Sequence, residues 1–404
     1  MSSLGARRLL AVAVTAALAL AGCSSSTSGS ANTGNSQPFL VYFNGAFTSP
    51  ISSVAQAQLD GVNAAAEEIN QSGGILGHQV KVITADDQLD PTKAVQLLQQ
   101  QMDKEKPNMA FYGQISTQAL AMLPLLTRGK VLSTGAGQSE ALNDPGKYPY
   151  NFGPTPQNAS DARALAVQLA KRQAKRISFV VGNDAFGQSV MKEYGPVLKD
   201  AGLDVTFEQY DVASLDFSSL VQRVQADKPD VAVLSTPTGA AAGRVLAART
   251  QSGSTIPTLG TTALGNGNNL ALVSGPADWK NVETLIWTAN TDQFKENAGS
   301  KALLSRLTAD KSKLDQLFTF YSLRWDVLYL VKYAAEQANS IEAPDMAKAL
   351  ENLKPVSTSM LTTFPSEKFS GSNHFFIVDN PDDFYTTTQP GDVVGGFVKP
   401  GLKK

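Results

Sequence analysis

Residues 39–91 read FLVYFNGAFTSPISSVAQAQLDGVNAAAEEINQSGGILGHQVKVITADDQLDP, and the order of textures in this stretch decides the fold. Phe39 to Phe43 is a short aromatic and branched run, the pattern of a strand. From about Ser52 to Asn70, apolar Val54, Leu59, Val62, Ala66 and Ile69 recur every three to five residues, which puts them on one face of a helix. Gly73-Gly74 ends it, because glycine takes left-handed backbone at no steric cost. Val80 to Thr84 is strand-like again, and Asp90-Pro91 opens another helix, with Asp90 as cap and Pro91 at its first position. Strand, helix and strand joined by so long a return make parallel neighbours, the unit of an α/β sheet.

The same alternation runs on towards the C-terminus. Strands are predicted at Met109 to Tyr112, Val131 to Ser133, Ile177 to Val181, Val205 to Gln209, Val231 to Leu234 and Val282 to Trp287. Helices are predicted at Thr117 to Leu126, Asp161 to Arg172, Ser189 to Ala201, Phe217 to Ala226 and Ala240 to Gln251. Beyond these the texture turns mostly helical, from Lys301 to Asn339 and from Pro344 to Leu353, with a short strand at Phe375 to Val378. The expectation is an α/β chain of mostly parallel sheets flanked by helices, the second half repeating the architecture of the first. About 366 residues follow Pro38, more than one hydrophobic core usually organises, so two domains are expected.

The N-terminus reads as an address. Arg7 and Arg8 precede an apolar run from Leu9 to Leu20, too short to span a bilayer comfortably, which leads into Leu20-Ala21-Gly22-Cys23. This resembles a bacterial lipoprotein leader over residues 1–22, with Cys23, the one cysteine of the chain, as the lipidated new terminus. The arginine pair suits a general secretory and a twin-arginine signal equally. Ser24 to Pro38 carries no charge and no large apolar side chain, so it reads as a tether about 20 Å in reach.

Composition excludes several classes of function. With Arg7 and Arg8 removed from 34 basic residues, 32 face 36 acidic ones, a net of −4 without a basic block, which disfavours nucleic acid. The two histidines, His78 and His374, stand beside turn residues in no metal-ligand spacing and are expected at the surface. Asp86, Asp87 and Asp90 are explained by capping and turns, so no metal and no cofactor are expected. No nucleophile elbow, zinc-protease pair or phosphate loop is present, and no catalytic residue is assigned. Polar, glycine-rich loops at strand ends remain. Gly113-Gln114-Ile115-Ser116-Thr117 follows a strand and opens a helix, where free amides, the helix dipole and two hydroxyls can seat a negative or strongly polar group. Ordinary N-capping by Ser116 or Thr117 explains the same residues. Thr134 to Ser139, with Ala136 and Gly137, lets a ligand approach backbone closely.

Leu59-Asp60-Gly61-Val62, the run Glu67 to Gly77, Asp86-Asp87-Gln88, Asp90-Pro91, Asn183-Asp184-Ala185-Phe186-Gly187 and Tyr321 to Leu328, taken in order, resemble the type I periplasmic binding proteins of the leucine/isoleucine/valine-binding group. The resemblance spans the body of the chain. It implies two Rossmann-like lobes joined by three crossing segments, near Asn151 to Pro154, Ile286 to Ala289 and Phe364 to Ser370. Lobe one would comprise 39–150 and 290–363, and lobe two 151–289 and 364–404. It further implies a monomeric, lipid-anchored receptor on the extracytoplasmic face, without turnover, that closes on a small solute and hands it to an ABC permease and its ATPase. The implied ligand residues are Thr48 and Ser49 of the Thr48-Ser49-Pro50 turn, Ser116, Thr117, Ala136 and Gly137, then Phe186, Thr238 in the 236–239 loop, and Thr262.

Four positions depart from the amino-acid-binding pattern: Val54 replaces an aromatic wall, Gly137 a hydroxyl, Phe186 a tyrosine and Thr262 an acid facing the ligand ammonium. Losing that acid removes a charge-assisted bond of about 1.5–3 kcal/mol, although Asp184 in the neighbouring turn can supply a charge. A polar or carboxylate-bearing solute fits these departures, and Phe47 and Phe186 add an apolar or aromatic face if they reach the cleft. Trp279, Trp287 and Trp325 read as core or rim. The same residues also accommodate an amino-acid receptor, a sensor of this fold signalling to a membrane partner, or a hydrolase using Ser116.

Overall fold

The computed structural model describes residues 37–49, 51–183, 185–211, 214–235, 239–261, 264, 279–363, 369–376, 378 and 380–400. Cys23, residues 24–36 of the tether, Pro50, Asp184, Thr238, Thr262 and most of the Phe364 to Ser370 segment lie outside them.

The first seven elements are β1 (Phe39–Gly45), α1 (Ser52–Gln71), β2 (Val80–Asp86), α2 (Pro91–Lys104), β3 (Met109–Phe111), α3 (Ser116–Arg128) and β4 (Leu132–Thr134). Their strands form a wholly parallel sheet in the order β2-β1-β3-β4. Central β1 is buried along its whole length, whereas edge strand β2 buries only Val80. Asp90 caps α2 as its sequence requires, accepting from the amides of Thr92 and Lys93 at 2.7 and 3.2 Å. Gly73 and Gly74 adopt φ of +100° and +82° beyond the end of α1.

Then follow β5 (Gly153–Pro156), α4 (Asn158–Lys171), β6 (Arg176–Gly182), α5 (Ala185–Asp200), β7 (Asp204–Tyr210), α6 (Ser218–Asp227), β8 (Val231–Leu234), α7 (Gly239–Gln251), β9 (Thr258–Gly260) and β10 (Val282–Trp287). The chain continues through α8 (Ala298–Ala309), α9 (Phe318–Ala338), α10 (Ala343–Leu350), β11 (Phe375–Phe376), α11 (Pro381–Phe384), β12 (Tyr385–Thr388), β13 (Gly391–Val394) and β14 (Phe397–Pro400). The second sheet has the order β12-β10-β9-β8-β6-β7, parallel except for β12. No helix among the described residues is long and apolar enough to cross a membrane.

Period-two alternation divides the cores. Phe39, Val41, Phe43 and Phe111 face α1, α8, α9 and α10, while Tyr42, Ala110 and Tyr112 face α2 and α3. In the second sheet Ile177, Phe179 and Val181 face α4 and α5, while Val180, Ala232 and Leu234 face α6 and α7. Three structural details differ from the sequence reading. The helical stretch from Lys301 is two helices, because Lys311 and Leu314 take φ of 57° and 50° between them. Helix α5 begins at Ala185, so Phe186 sits in a helical first turn. His374 is 1 % exposed rather than a surface residue: its ring stacks on Phe152 at 4.0 Å, Nδ1 meets the Asn151 carbonyl and Nε2 meets Glu351, each at 3.1 Å. All three tryptophans are buried.

The chain passes between the sheets after β4, after β10 and after α10. The first and third passages touch: β5 pairs in parallel with β11, and the Gly153 amide donates to the His374 carbonyl at 2.9 Å. The tail hairpin β13–β14 returns to α9, with Phe397 against Phe318 at 5.4 Å.

Helices α1 and α9 meet at Gly61, where a Cβ would lie 2.2 Å from the Tyr321 carbonyl oxygen. Gly61→Ala forces the helices apart, and we expect it to lower the unfolding free energy by about 1–3 kcal/mol, as overpacking does, read as a lower urea midpoint at unchanged slope.

Candidate functional site

Parallel sheets bind ligands outside the carboxyl ends of their strands, where the strand order reverses, because connections there leave towards opposite faces and open a crevice. In the first sheet the reversal falls between β1 and β3, and in the second between β6 and β8. The loops flanking the first reversal contain Thr48 and Ser49 after β1 and Gly113 to Thr117 after β3. Those flanking the second contain Phe186 after β6 and the undescribed 236–238 after β8. Of the sequence-derived residues, Thr48, Ser49, Ser116, Thr117 and Phe186 stand beside these two points, whereas Ala136 and Gly137 follow β4.

At the first reversal, hydrogen bonds sort the residues into framework and free donors. Thr48 is part of the framework: its hydroxyl donates to Asp86 at 2.6 Å and accepts from Gln88 at 3.0 Å. Burial alone would raise the Asp86 carboxyl, but the Thr48 hydroxyl and the amides of Gln88, Thr48 and Phe47 together hold it below its ordinary value. Ser49 likewise turns inward, donating to the Ala46 carbonyl at 2.8 Å and accepting from the Ile51 amide at 3.2 Å. Gln114 stitches the two loops, accepting from the Ala46 amide at 3.0 Å and donating to Gln58 at 3.2 Å.

The start of α3 is different. Its N-cap is Ile115, which has no capping oxygen, and no side chain caps the helix. The capping explanation for Ser116 and Thr117 thus falls away, and the first-turn amides have no helical partner. The Ser116 hydroxyl accepts from the Ser139 amide at 3.3 Å, tying the loops after β3 and β4 together, and Thr117 is exposed. Gly137 is enforced by packing, since a Cβ there would stand 2.4 Å from a Leu142 methyl and 3.2 Å from the Ser116 hydroxyl. Ala136 is half-buried, its amide on the Gly113 carbonyl at 3.2 Å. Beneath lies a buried polar pair that sequence reading missed: Asn44 donates to Asp87 at 2.7 Å, and Asp87 accepts from the Leu89 amide at 2.9 Å. Burial first, then the Asp87 charge, pushes the nearby Tyr42 hydroxyl well up.

At the second reversal Phe186 is 37 % exposed, so it is free to meet a solute. Gly187 makes the tight strand-to-helix turn possible, because a Cβ would lie 1.9 Å from the Gly182 carbonyl. Ser235 and Thr261, both buried and also missed, join at 3.3 Å below the strand ends. Phe47, by contrast, is half-buried against Phe43 at 6.1 Å. A separate groove of about 760 Å³ runs along α1, the 310–315 loop and the start of β2, away from both reversals.

Comparisons with known proteins agree with this fold. Residues 43–379 match the family described as periplasmic binding protein. An amino acid binding protein of Pseudomonas aeruginosa is 24 % identical over 175 residues, 42 % of this chain and 46 % of that one. The chain spans about half the length of the curated relatives it matches. Among solved structures, a type 1 periplasmic binding protein from Bordetella pertussis has a TM-score of 0.74 at 18 % identity, covering 90 % of this chain and 100 % of its own. A branched-chain amino acid transporter substrate-binding protein from Streptococcus pneumoniae, in complex with isoleucine, has a TM-score of 0.69 at 19 % identity, covering 88 % and 100 %.

Thr48→Val removes the hydroxyl that the Asp86 carboxylate accepts from. The Asp86 carboxyl should then move up towards its ordinary value in a side-chain carbon NMR titration. The sign for stability follows: a depressed carboxyl stabilises the fold above its unfolded-state value and loses that contribution as pH falls through its folded value, so the variant's stability should fall less steeply with acid.

Proposed function

The chain belongs to the periplasmic binding protein family, and on that premise we propose that it is the extracytoplasmic receptor of an ABC importer, binding a small polar or carboxylate-bearing solute between two lobes. The observation that carries this reading is the uncapped start of α3, set at the strand-order reversal of one sheet and matched by a second reversal in the other. Lobe one is assigned 39–150 with 290–363, and lobe two 151–289 with 364–404. The cores on the two sheets support this division except at its seams, where Phe152, Phe369 and Phe375 join the cores of the first sheet and Leu323 that of the second. A solute touching both lobes stabilises the closed arrangement by its contacts with each.

Within the proposed site, Ser116 and Thr117 with their amides seat the polar head. Thr48, Ser49, Ala136 and Gly137 shape the wall, and Phe186, Thr238 and Thr262 close from the other side. The family's solute-binding character supports a receptor without turnover, acting as a monomer. A lipid on Cys23 would hold it at the membrane near the permease and ATPase.

A thermal-shift screen of small acids, amides and amino acids on the body lacking residues 1–23 tests the reading. A ligand at a hundred times its dissociation constant should add about 2.7 kcal/mol. Ser116→Ala with Thr117→Ala should weaken binding by about 1–3 kcal/mol and leave the free protein's circular dichroism unchanged. Equal affinity in that double variant would place the lobe-one site elsewhere. Cys23→Ser should move the protein from the membrane fraction to the soluble fraction on cell fractionation, and retention at the membrane would remove the lipid anchor.

A further inference from the structure

The first and third passages between the sheets are joined through one imidazole. His374 stands just before β11 and packs its ring on Phe152 of the first passage, centroids 4.0 Å apart. Gly153 permits so close an approach, since a Cβ there would lie 2.4 Å from the Phe375 ring. The His374 amide donates to the Asn143 side chain at 2.9 Å, and that side chain donates to Asn373 at 2.6 Å. The backbone carrying the ring is thereby tied to the loop after β4.

The two ring nitrogens reach two further elements. Nδ1 meets the carbonyl of Asn151 in the first passage, and Nε2 meets the carboxylate of Glu351, just beyond α10. Neither partner has a proton to give, one being a peptide carbonyl and the other a carboxylate. A neutral imidazole has one N–H and one lone pair, so it donates to one of them and turns the lone pair on the other. An imidazolium donates to both, and its charge faces that of Glu351. Glu351 is the charged group on the ring; Asn143, Asn151, Phe152 and the flanking Asn373 and Phe375 are uncharged. The Glu351 side chain is about a quarter exposed, which gives solvent protons a way to the buried pair.

We propose that His374 is a proton-operated clasp on the passages between the sheets. With a proton on each nitrogen it binds the end of α10 to the first passage through the third, and with one proton it releases one of the two. Motion of the sheets about these passages is then more restrained in acid than in base. The other histidine, His78, has its Nδ1 on the Gln37 carbonyl at the start of β1 and serves as an internal control. The clasp goes beyond the receptor reading, and its measurement needs no solute, so the two stand or fall separately.

The test follows hydrogen exchange of the body lacking residues 1–23, in which residues 37–404 form one compact unit, at about pH 5.5 and about pH 8. Rates are corrected for the intrinsic pH dependence of exchange, and the ring nitrogen resonances of the two histidines are recorded alongside. The Gly153 amide, which donates to the His374 carbonyl, and the His374 amide should gain about threefold or more in protection as pH falls, in step with double protonation of the His374 ring, while amides of β6 stay level. His374→Phe keeps a ring on Phe152 and should flatten the response. Glu351→Gln puts a group that can donate opposite Nε2, which satisfies the neutral ring, and should hold the protection at pH 8 up to its acid level; it keeps the test open if His374→Phe does not fold. His78→Gln should leave the response in place. Protection that does not change with pH in the wild type, a His374 ring that keeps one protonation state throughout, or a response that survives Glu351→Gln overturns the clasp.

Discussion

A parallel strand cannot be followed directly by its neighbour: the chain must travel back over one face before it pairs again. In this protein that constraint places the ends of β1 to β4 along one edge and those of β6, β8, β9 and β10 along another. Where successive returns switch faces, no connection fills the gap. Two such gaps arise from strand order alone, and Thr48, Ser49, Ser116, Thr117 and Phe186 lie beside them. The polar side chains there are divided in labour by their partners. Thr48, Ser49 and Gln114 are spent on holding loops together, while the α3 amides and Thr117 face outward.

Helix α9 is what joins this edge to the rest. It is buried along most of its length, crosses α1 at a glycine, and fixes the 360–363 segment through Asp326 and Trp325, whose indole donates to the Met360 carbonyl at 2.7 Å. A helix so enclosed has no solvated face on which a charge could rest cheaply, and Arg324 within it is buried with its guanidinium carbon 5.9 Å from the Phe111 ring centroid.

Much of the fold was legible because it rests on local chemistry. The period of α1, the Asp90-Pro91 start of α2 and the left-handed Gly73-Gly74 each depend on residues within one turn, and strands β8 and β10 fall at their predicted limits. Strands β5 and β9 escaped because they are three or four residues long and contain proline or glycine, so their pairing is a tertiary fact. His374 looked like a turn residue because Ser370 to Asn373, which precede it, are small and polar. Its burial comes from Phe152 and Glu351, far away along the chain. At the site, the loop after β3 was readable from its glycine and hydroxyls. The Asn44–Asp87 pair, Gln58 and Ser235 were not, since each is defined by a contact between elements that no spacing reveals.

The stack of Phe152 on His374 joins residues more than two hundred positions apart, on two of the three strands of chain that run between the sheets. Two threads glued face to face bend like a laminate rather than like separate cords. Shear between them is suppressed, and flexing is confined to the direction that keeps the rings in register. A small side chain at position 152 would delaminate the pair and also open a void in the first sheet's core, of which Phe152 is a part.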